Sequence, residues 1–159
     1  MSDLLIELPF GFSGRIFRSP MPFGRYDVRK DVIRQFKQKD IHVIVVLTDD
    51  EECLARAGRD LRSFYDEQGY KVVYLPIRDY DLPTPQDMEA AIQETFDYAR
   101  AGRNIAIHCY AGNGRTGTFA ACAAKRALGM SGKQAIEWVR EYIPGAIETH
   151  EQEWWVLNY

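Results

Sequence analysis

The chain has 159 residues, of which 46% are hydrophobic, and it carries a formal net charge of −3 at pH 7. Its length suits a single globular domain, residues 1–159, with a core of ordinary size, and no change of composition indicates a second domain. The negative charge argues against nucleic acid or an anionic membrane as a partner, so an anionic substrate would have to be held by a local positive field.

The cysteines and the first residues point to a reducing compartment. Cys53, Cys109 and Cys122 form an odd set without the spacing of metal ligands. The opening sequence MSDLLIE lacks the basic flank and the long apolar run of a secretory signal. We therefore expect a cytoplasmic protein.

Strand-like and helix-like segments alternate along the first half of the chain. The apolar patterns predict, in order, a short edge strand at 14–18, a helix at 28–38, a buried strand at 41–47, a helical stretch from 48 to 67 interrupted near Gly58, and a strand at 70–75. In the first helix, Val28, Val32 and Phe36 share one face. Residues 48–51 have the spacing of a capping box that would open the second.

The second half continues the alternation. Thr84 and Pro85 are typical of a helix start, and the apolar stripe that follows predicts a helix as far as Arg100. A strand at 104–108 and an alanine-rich helix at 115–128 come next, in which Phe119 and Leu128 are expected to face the core. Capping-box spacings then predict two more helices, which begin at Ser131 and Thr149.

This order of segments predicts an α/β fold, with a mostly parallel central sheet flanked by helices on both faces. Parallel strands linked by right-handed crossovers point their carboxyl ends to one edge of the sheet, where such folds usually bind ligands. The loops that follow 104–108 and 70–75 should therefore meet there.

The loop at 108–117, HCYAGNGRTG, carries the chemistry. A glycine-rich loop that leads from a strand into a helix presents backbone N–H groups and the positive helix end to one spot, which suits phosphate. Cys109 adds a nucleophile and Arg115 adds a planar fork for two oxyanion oxygens. A nucleotide-binding loop, G-x4-G-K-[ST], fits less well, because Cys109 replaces its first glycine and Arg115 its lysine.

A second loop, 76–83, carries two carboxylates in a turn-rich segment. A phosphoester needs a proton for its departing oxygen as well as an attacking group. Asp79 and Asp81 are both candidates for that donor.

These segments together resemble a known family. The run from His108 to Gly117 is similar to the H-C-x5-R-[ST]-G signature of cysteine-dependent protein tyrosine and dual-specificity phosphatases. Segments 76–85 and 144–152 resemble the acid loop and the C-terminal segment of small atypical dual-specificity phosphatases. The match implies a phosphatase-like domain and puts the general acid at Asp79, with Arg78 in place of the family's usual proline. Asp81 remains the alternative.

The resemblance implies a role for each matching residue. Cys109 would form a phosphocysteine, Asp79 would act as acid and then as base, and Thr116 would stabilise the leaving sulfur. His108 would orient the loop. The phosphate would be held by the Arg115 side chain and by the backbone N–H groups of Tyr110, Ala111, Gly112, Asn113, Gly114 and Arg115. The arginine and the loop dipoles leave no requirement for a metal or other cofactor.

Other residues have two interpretations. Gln152 matches a position that places the hydrolytic water in some relatives, but it also has capping-box spacing from Thr149. Cys53 could form a protective disulfide with Cys109, as in some relatives. Residues 24–27 faintly resemble the phosphotyrosine-recognition loop of larger enzymes, yet we expect Tyr26 to be a helix-entry or core residue.

The expected partner is a phosphorylated protein or peptide, with phosphotyrosine as the substrate and phosphoserine and phosphothreonine as further candidates. One alternative is a non-protein phosphoester, such as a phosphoinositide or an RNA 5′ phosphate. Lipid-directed relatives tend to carry lysine in this loop, whereas residues 110–113 are uncharged. The second alternative is a non-catalytic phosphate-binding module, which would not need a thiol.

Overall fold

A computed structural model describes residues 3–159, and its centre is a five-stranded sheet. The strands are β1 (Ile6–Leu8), β2 (Ile16–Ser19), β3 (Ile41–Val46), β4 (Lys71–Tyr74) and β5 (Asn104–His108), in the spatial order β1-β2-β5-β3-β4. All neighbouring pairs are parallel except β1 with β2, which is antiparallel.

Three helices cover one face of the sheet. They are α1 (Val32–Gln38), α2 (Asp50–Ala57) and α3 (Leu61–Glu67). Their buried side chains, such as Phe36 and Tyr65, pack against one set of strand residues.

Four helices cover the opposite face: α4 (Pro85–Arg100), α5 (Gly114–Leu128), α6 (Gly132–Tyr142) and α7 (His150–Asn158). The pleat of β3 divides its side chains between the two layers, since Val43 and Val45 belong to this core and Ile44 and Val46 to the other. A strand buried on both faces reads as a continuous apolar run, and this explains the strength of its sequence signal. The predicted α/β fold with helices on both faces is confirmed.

Several boundaries follow the local signals closely. The strand at 104–108 is found as predicted, Thr84 caps α4, and the capping boxes predicted at Ser131 and Thr149 open α6 and α7. The predicted break near Gly58 separates α2 from α3, with Gly58 in the left-handed conformation at φ 72°. The capping box predicted at residues 48–51 is wrong: the cap of α2 is Asp49, one residue later, whose side chain accepts a hydrogen bond from Glu52 N at 2.7 Å.

The first part of the chain differs from its prediction. The strand near 14–18 lies at Ile16–Ser19 and is not an edge strand, because the unpredicted β1 pairs on its outer side. The first helix begins at Val32 rather than at 28, and Val28 is 85% exposed. The buried carboxylate of Asp27 accepts hydrogen bonds from Asp31 N and Val32 N, and this turn delays the start of the helix.

At the far end of α5, Leu128 is 36% exposed, whereas Phe119 is buried as predicted. Leu128 is the last residue of α5, which ends at Gly129 in the left-handed conformation. None of the helices within residues 3–159 is both long and apolar enough to cross a bilayer.

Candidate active site

The loop at 109–113 joins β5 to α5 at the carboxyl edge of the sheet. The neighbouring strands β2 and β3 end beside it, since Ser19 and Val46 are both in register with His108. The segment after β4 reaches the same edge, where Ile77 N donates to Leu47 O. The predicted meeting of the two loops is therefore observed.

The carbonyl groups of the loop point away from the cavity and towards the surrounding protein. Tyr110 O accepts from Met21 N at 3.0 Å, and Asn113 O accepts from Gly117 N at 2.8 Å. The Arg18 side chain donates to the carbonyls of Ala111 and Gly112. In a trans peptide the carbonyl and the following N–H point in opposite directions, so the amides turn towards the cavity. This arrangement forms an anion cradle.

Cys109 lies at the base of the cradle. The residue is only 2% exposed, and the Thr116 hydroxyl donates a hydrogen bond to its sulfur at 3.1 Å. The start of α5 and the Arg115 guanidinium face the same region, and this is the electrostatic setting that a thiolate nucleophile requires.

Arg115 is fixed by a carboxylate that the sequence did not reveal. Its Nη1 and Nη2 donate to the two oxygens of Glu52 at 2.8 and 2.9 Å, and Nη1 also donates to Ile77 O at 2.8 Å. Burial opposes the charged guanidinium, but the hydrogen bond to Glu52 and the nearby negative groups raise the pKa of Arg115 above its usual value. The bidentate pair sets the plane and direction of the fork.

Asp79 stands beside this arginine. Its Oδ1 lies 3.3 Å from Arg115 Nη2, and its Oδ2 lies 3.4 Å from Arg56 Nη2. Asp81 is not part of the cavity wall, and its carboxylate accepts a hydrogen bond from Leu82 N. The structure therefore brings Asp79, and not Asp81, next to Cys109 and Arg115.

His108 lies beneath the loop and is fully buried. Its Nδ1 lies 3.0 Å from Cys109 O, and its Nε2 lies 2.8 Å from the Tyr65 hydroxyl. Burial lowers the pKa of His108 to about 4, so the ring is neutral at physiological pH. A neutral ring that donates from Nδ1 to a carbonyl accepts at Nε2, and Tyr65 is then the donor. These contacts fix the loop and agree with the orienting role expected of His108.

Gln152 both completes the cap of α7 and borders the cavity. Its backbone N–H and Oε1 complete the capping box of α7, and Oε1 also accepts from Glu148 N at 2.8 Å. The same side chain is 1% exposed and borders the cavity over Cys109. The capping contacts hold this amide in one orientation at the cavity wall.

The cavity has a volume of about 250 Å³ and is walled by residues from five parts of the chain. They are Tyr26, Arg56, Asp79, Tyr80, Cys109, Tyr110, Ala111, Gly114, Arg115, Glu148 and Gln152. The expectation that Tyr26 is a helix-entry or core residue is wrong, since it is 46% exposed and packs edge-on against Tyr110. The delayed start of α1 leaves it free to line the cavity mouth.

The other two cysteines do not border the cavity. Cys122 is buried in α5, and burial raises the pKa of its thiol to about 12. Cys53 is a buried residue of α2, where its sulfur lies 3.1 Å from the Thr48 hydroxyl, and burial raises the pKa of its thiol as well. All three cysteines are free thiols in the structure.

A cysteine and an arginine in one glycine-rich loop, at the carboxyl edge of a sheet with helices on both faces, are the arrangement expected of cysteine-dependent phosphatases. Residues 16–156 match the family described as "Swiss Army Knife protein, DSP-PTPase phosphatase domain". The chain belongs to this family, a small dual-specificity-type branch of the cysteine-based tyrosine phosphatases.

Individual proteins also match parts of the chain. An uncharacterised protein of Methanocaldococcus jannaschii is 40% identical over 89 residues, which are 55% of this chain and 58% of that protein. The dual specificity protein phosphatase CDC14C of Symphalangus syndactylus is 28% identical over 129 residues, 79% of this chain and 24% of that protein. The matches thus span little more than half of the first relative's length and a quarter of the second's.

Among solved structures, the crystal structure of Tk-PTP in the active form superposes with a TM-score of 0.78 at 26% identity. That alignment covers 99% of this chain and 96% of the Tk-PTP chain.

Proposed function

We propose that this chain is a phosphatase that hydrolyses phosphotyrosine in proteins or peptides through a phosphocysteine on Cys109. One observation carries the proposal: Cys109, Arg115 and Asp79 border the same small cavity, at the base of which the loop amides converge. One loop supplies the nucleophile and the oxyanion clamp, and a second segment supplies the proton donor. A passive phosphate site has no need of all three.

In the first step the Cys109 thiolate attacks phosphorus. The new S–P bond forms as the P–O bond to the leaving group breaks, and protonated Asp79 gives its proton to the departing oxygen. Arg115 and the loop amides hold the three remaining oxygens, whose charge develops in the transition state.

In the second step water attacks the phosphocysteine. Asp79, now a carboxylate, accepts a proton from that water as the S–P bond breaks, and inorganic phosphate leaves. The Thr116 hydroxyl stabilises the departing sulfur through the hydrogen bond already present at 3.1 Å. Gln152, whose side chain borders the cavity, orients that water in the proposed mechanism.

The walls of the cavity favour an aromatic phosphoester. Tyr26, Tyr80 and Tyr110 line the cavity and can contact the phenyl ring of a substrate. The Tyr110 ring is itself ordered by Arg56, whose Cζ lies 3.8 Å from the ring centre. Glu148 contributes a carboxylate to the wall, and this charge disfavours a second phosphate on the substrate. A phosphorylated protein or peptide is therefore the preferred partner.

A panel of substrates tests the proposal. We expect phosphotyrosine peptides to have a kcat/KM at least about tenfold above those of phosphoserine peptides, phosphoinositides and 5′-phosphorylated RNA, because aromatic contacts discriminate at this level. Release of inorganic phosphate from each substrate is the measurement. A preference for phosphoinositide or RNA would replace the substrate class, and tungstate binding without any hydrolysis would favour a binding module.

The identity of the acid is tested by leaving-group dependence. Asp79→Asn should slow a substrate with a poor leaving group, such as an alkyl phosphate, by about 100-fold, and an activated aryl phosphate by less than about tenfold. The reason is that an activated phenolate departs without a proton. Asp81→Asn is the matched control and should stay close to wild type. Equal losses on both substrates, or a larger selective loss in the control, would reassign the acid.

A further inference from the structure

Arg18 lies behind the phosphate loop and does not border the cavity. It belongs to β2, where it is in register with Ile107 of β5, so its side chain reaches the loop that follows that strand. The guanidinium donates from Nε to Gly112 O at 3.1 Å, and from Nη2 to Ala111 O and to Asn113 Oδ1 at 3.2 Å each. One planar fork therefore holds three consecutive loop residues.

These contacts fix the direction of two peptide planes. With the carbonyls of Ala111 and Gly112 turned to Arg18, the N–H groups of Gly112 and Asn113 must point the other way, towards the phosphate position. Rotation of either plane would replace a donor by a carbonyl oxygen, which repels an oxyanion. The hydrogen bonds to Arg18 oppose that rotation.

The contact with Arg18 requires a glycine at position 112. Its φ of +84° is a left-handed conformation, and a Cβ there would lie 2.6 Å from Ser19 O and 2.8 Å from Arg18 Nη2. The absence of a side chain lets the guanidinium approach the backbone closely. Arg18 and Gly112 therefore form one packed unit behind the cradle.

We propose that Arg18 is a positioning residue for the phosphatase reaction, which acts by holding the loop amides in the orientation that binds the phosphoryl oxygens. This inference rests on the proposed function for its kinetic consequences, but its effect on anion binding can be measured independently. Burial lowers the pKa of Arg18 and its interaction with Cys109 raises it, so the guanidinium and the sulfur lie close enough to interact.

The test compares Arg18→Lys and Arg18→Met with Arg15→Met. Lysine keeps the charge but cannot hold three acceptors in one plane, and methionine removes both charge and donors. Arg15 lies three residues earlier, and its side chain pairs with Glu7 at the surface, away from the loop. Tungstate affinity by calorimetry, kcat and KM for an aryl phosphate, and the melting temperature are measured for each.

We expect both Arg18 variants to bind tungstate at least about tenfold more weakly than wild type. The reason is that the N–H groups of Gly112 and Asn113 would no longer be held in the direction of the bound anion. Their kcat/KM should fall by about 100-fold, the scale of a small misplacement of catalytic groups. Both effects are expected at temperatures where the variants are folded, with Arg15→Met within about twofold of wild type.

Tungstate affinity and kcat/KM within about threefold of wild type in folded Arg18→Lys and Arg18→Met would overturn the proposal. So would loss of the fold in both variants, since Arg18 would then be a structural residue. If the wild-type protein binds tungstate but hydrolyses no phosphoester, the proposed function fails, and the tungstate measurements still decide the role of Arg18.

Discussion

Replacement of Cys109 by serine is expected to abolish hydrolysis, with a loss of at least about 10⁴-fold in kcat for an aryl phosphate. A serine hydroxyl is un-ionised at neutral pH, so it offers no nucleophile at the base of the cradle and forms no phosphoenzyme. The cradle itself consists of backbone amides and Arg115, which the change leaves in place. Tungstate affinity should therefore remain within a few-fold of wild type, and this separates lost chemistry from lost structure.

Cys122→Ala is the matched control for that experiment. Cys122 is a buried cysteine on the helix that follows the loop, and its replacement should leave kcat within about twofold of wild type. Rapid quenching of a labelled substrate should trap a phosphorylated protein in wild type and in the control, but not in Cys109→Ser. Appreciable turnover by Cys109→Ser would end the covalent mechanism.

The fold was predictable where its signals are local. A continuous apolar run, a glycine-rich turn and an alanine-rich segment predict the strand at 104–108 and the helix after it. All three signals lie within 25 consecutive residues. The caps of α4, α6 and α7 depend on hydrogen bonds between residues three positions apart. By contrast, β1 is a three-residue strand stabilised by its pairing with β2, and no periodicity can appear in so short a segment.

The site shows the same division. Cys109 and Arg115 belong to one motif, so the sequence places them together. Asp79 could be named as the acid because the segment around it resembles the acid loop of the family. Glu52 contacts Arg115 across 63 positions and Arg18 contacts the loop across 94 or so, each from an ordinary amphipathic helix or strand. A charged residue on such an element is usually a solvated one, and only the packing of the strands reveals the contact.

Replacement of Arg115 by lysine is expected to lower kcat/KM by about 10³-fold or more, or roughly 4 kcal/mol of transition-state stabilisation. The guanidinium performs two tasks that an ammonium cannot combine. One edge must present two donors to the phosphoryl oxygens, while the rest of the group donates to both oxygens of Glu52 and to Ile77 O. Lysine keeps the charge, but it is a point donor without a fixed plane.

The same substitution should also lower the melting temperature, because Glu52 is 13% exposed and would lose part of its pairing in a buried setting. Arg126→Lys is the control on the same helix, where the exposed side chain pairs with Glu89 and a lysine can serve equally well. Steady-state kinetics and tungstate calorimetry on both variants check the prediction. If Arg115→Lys retained a tenth or more of wild-type kcat/KM, the bidentate clamp would not be what stabilises the transition state, and the loop amides alone would have to carry that role.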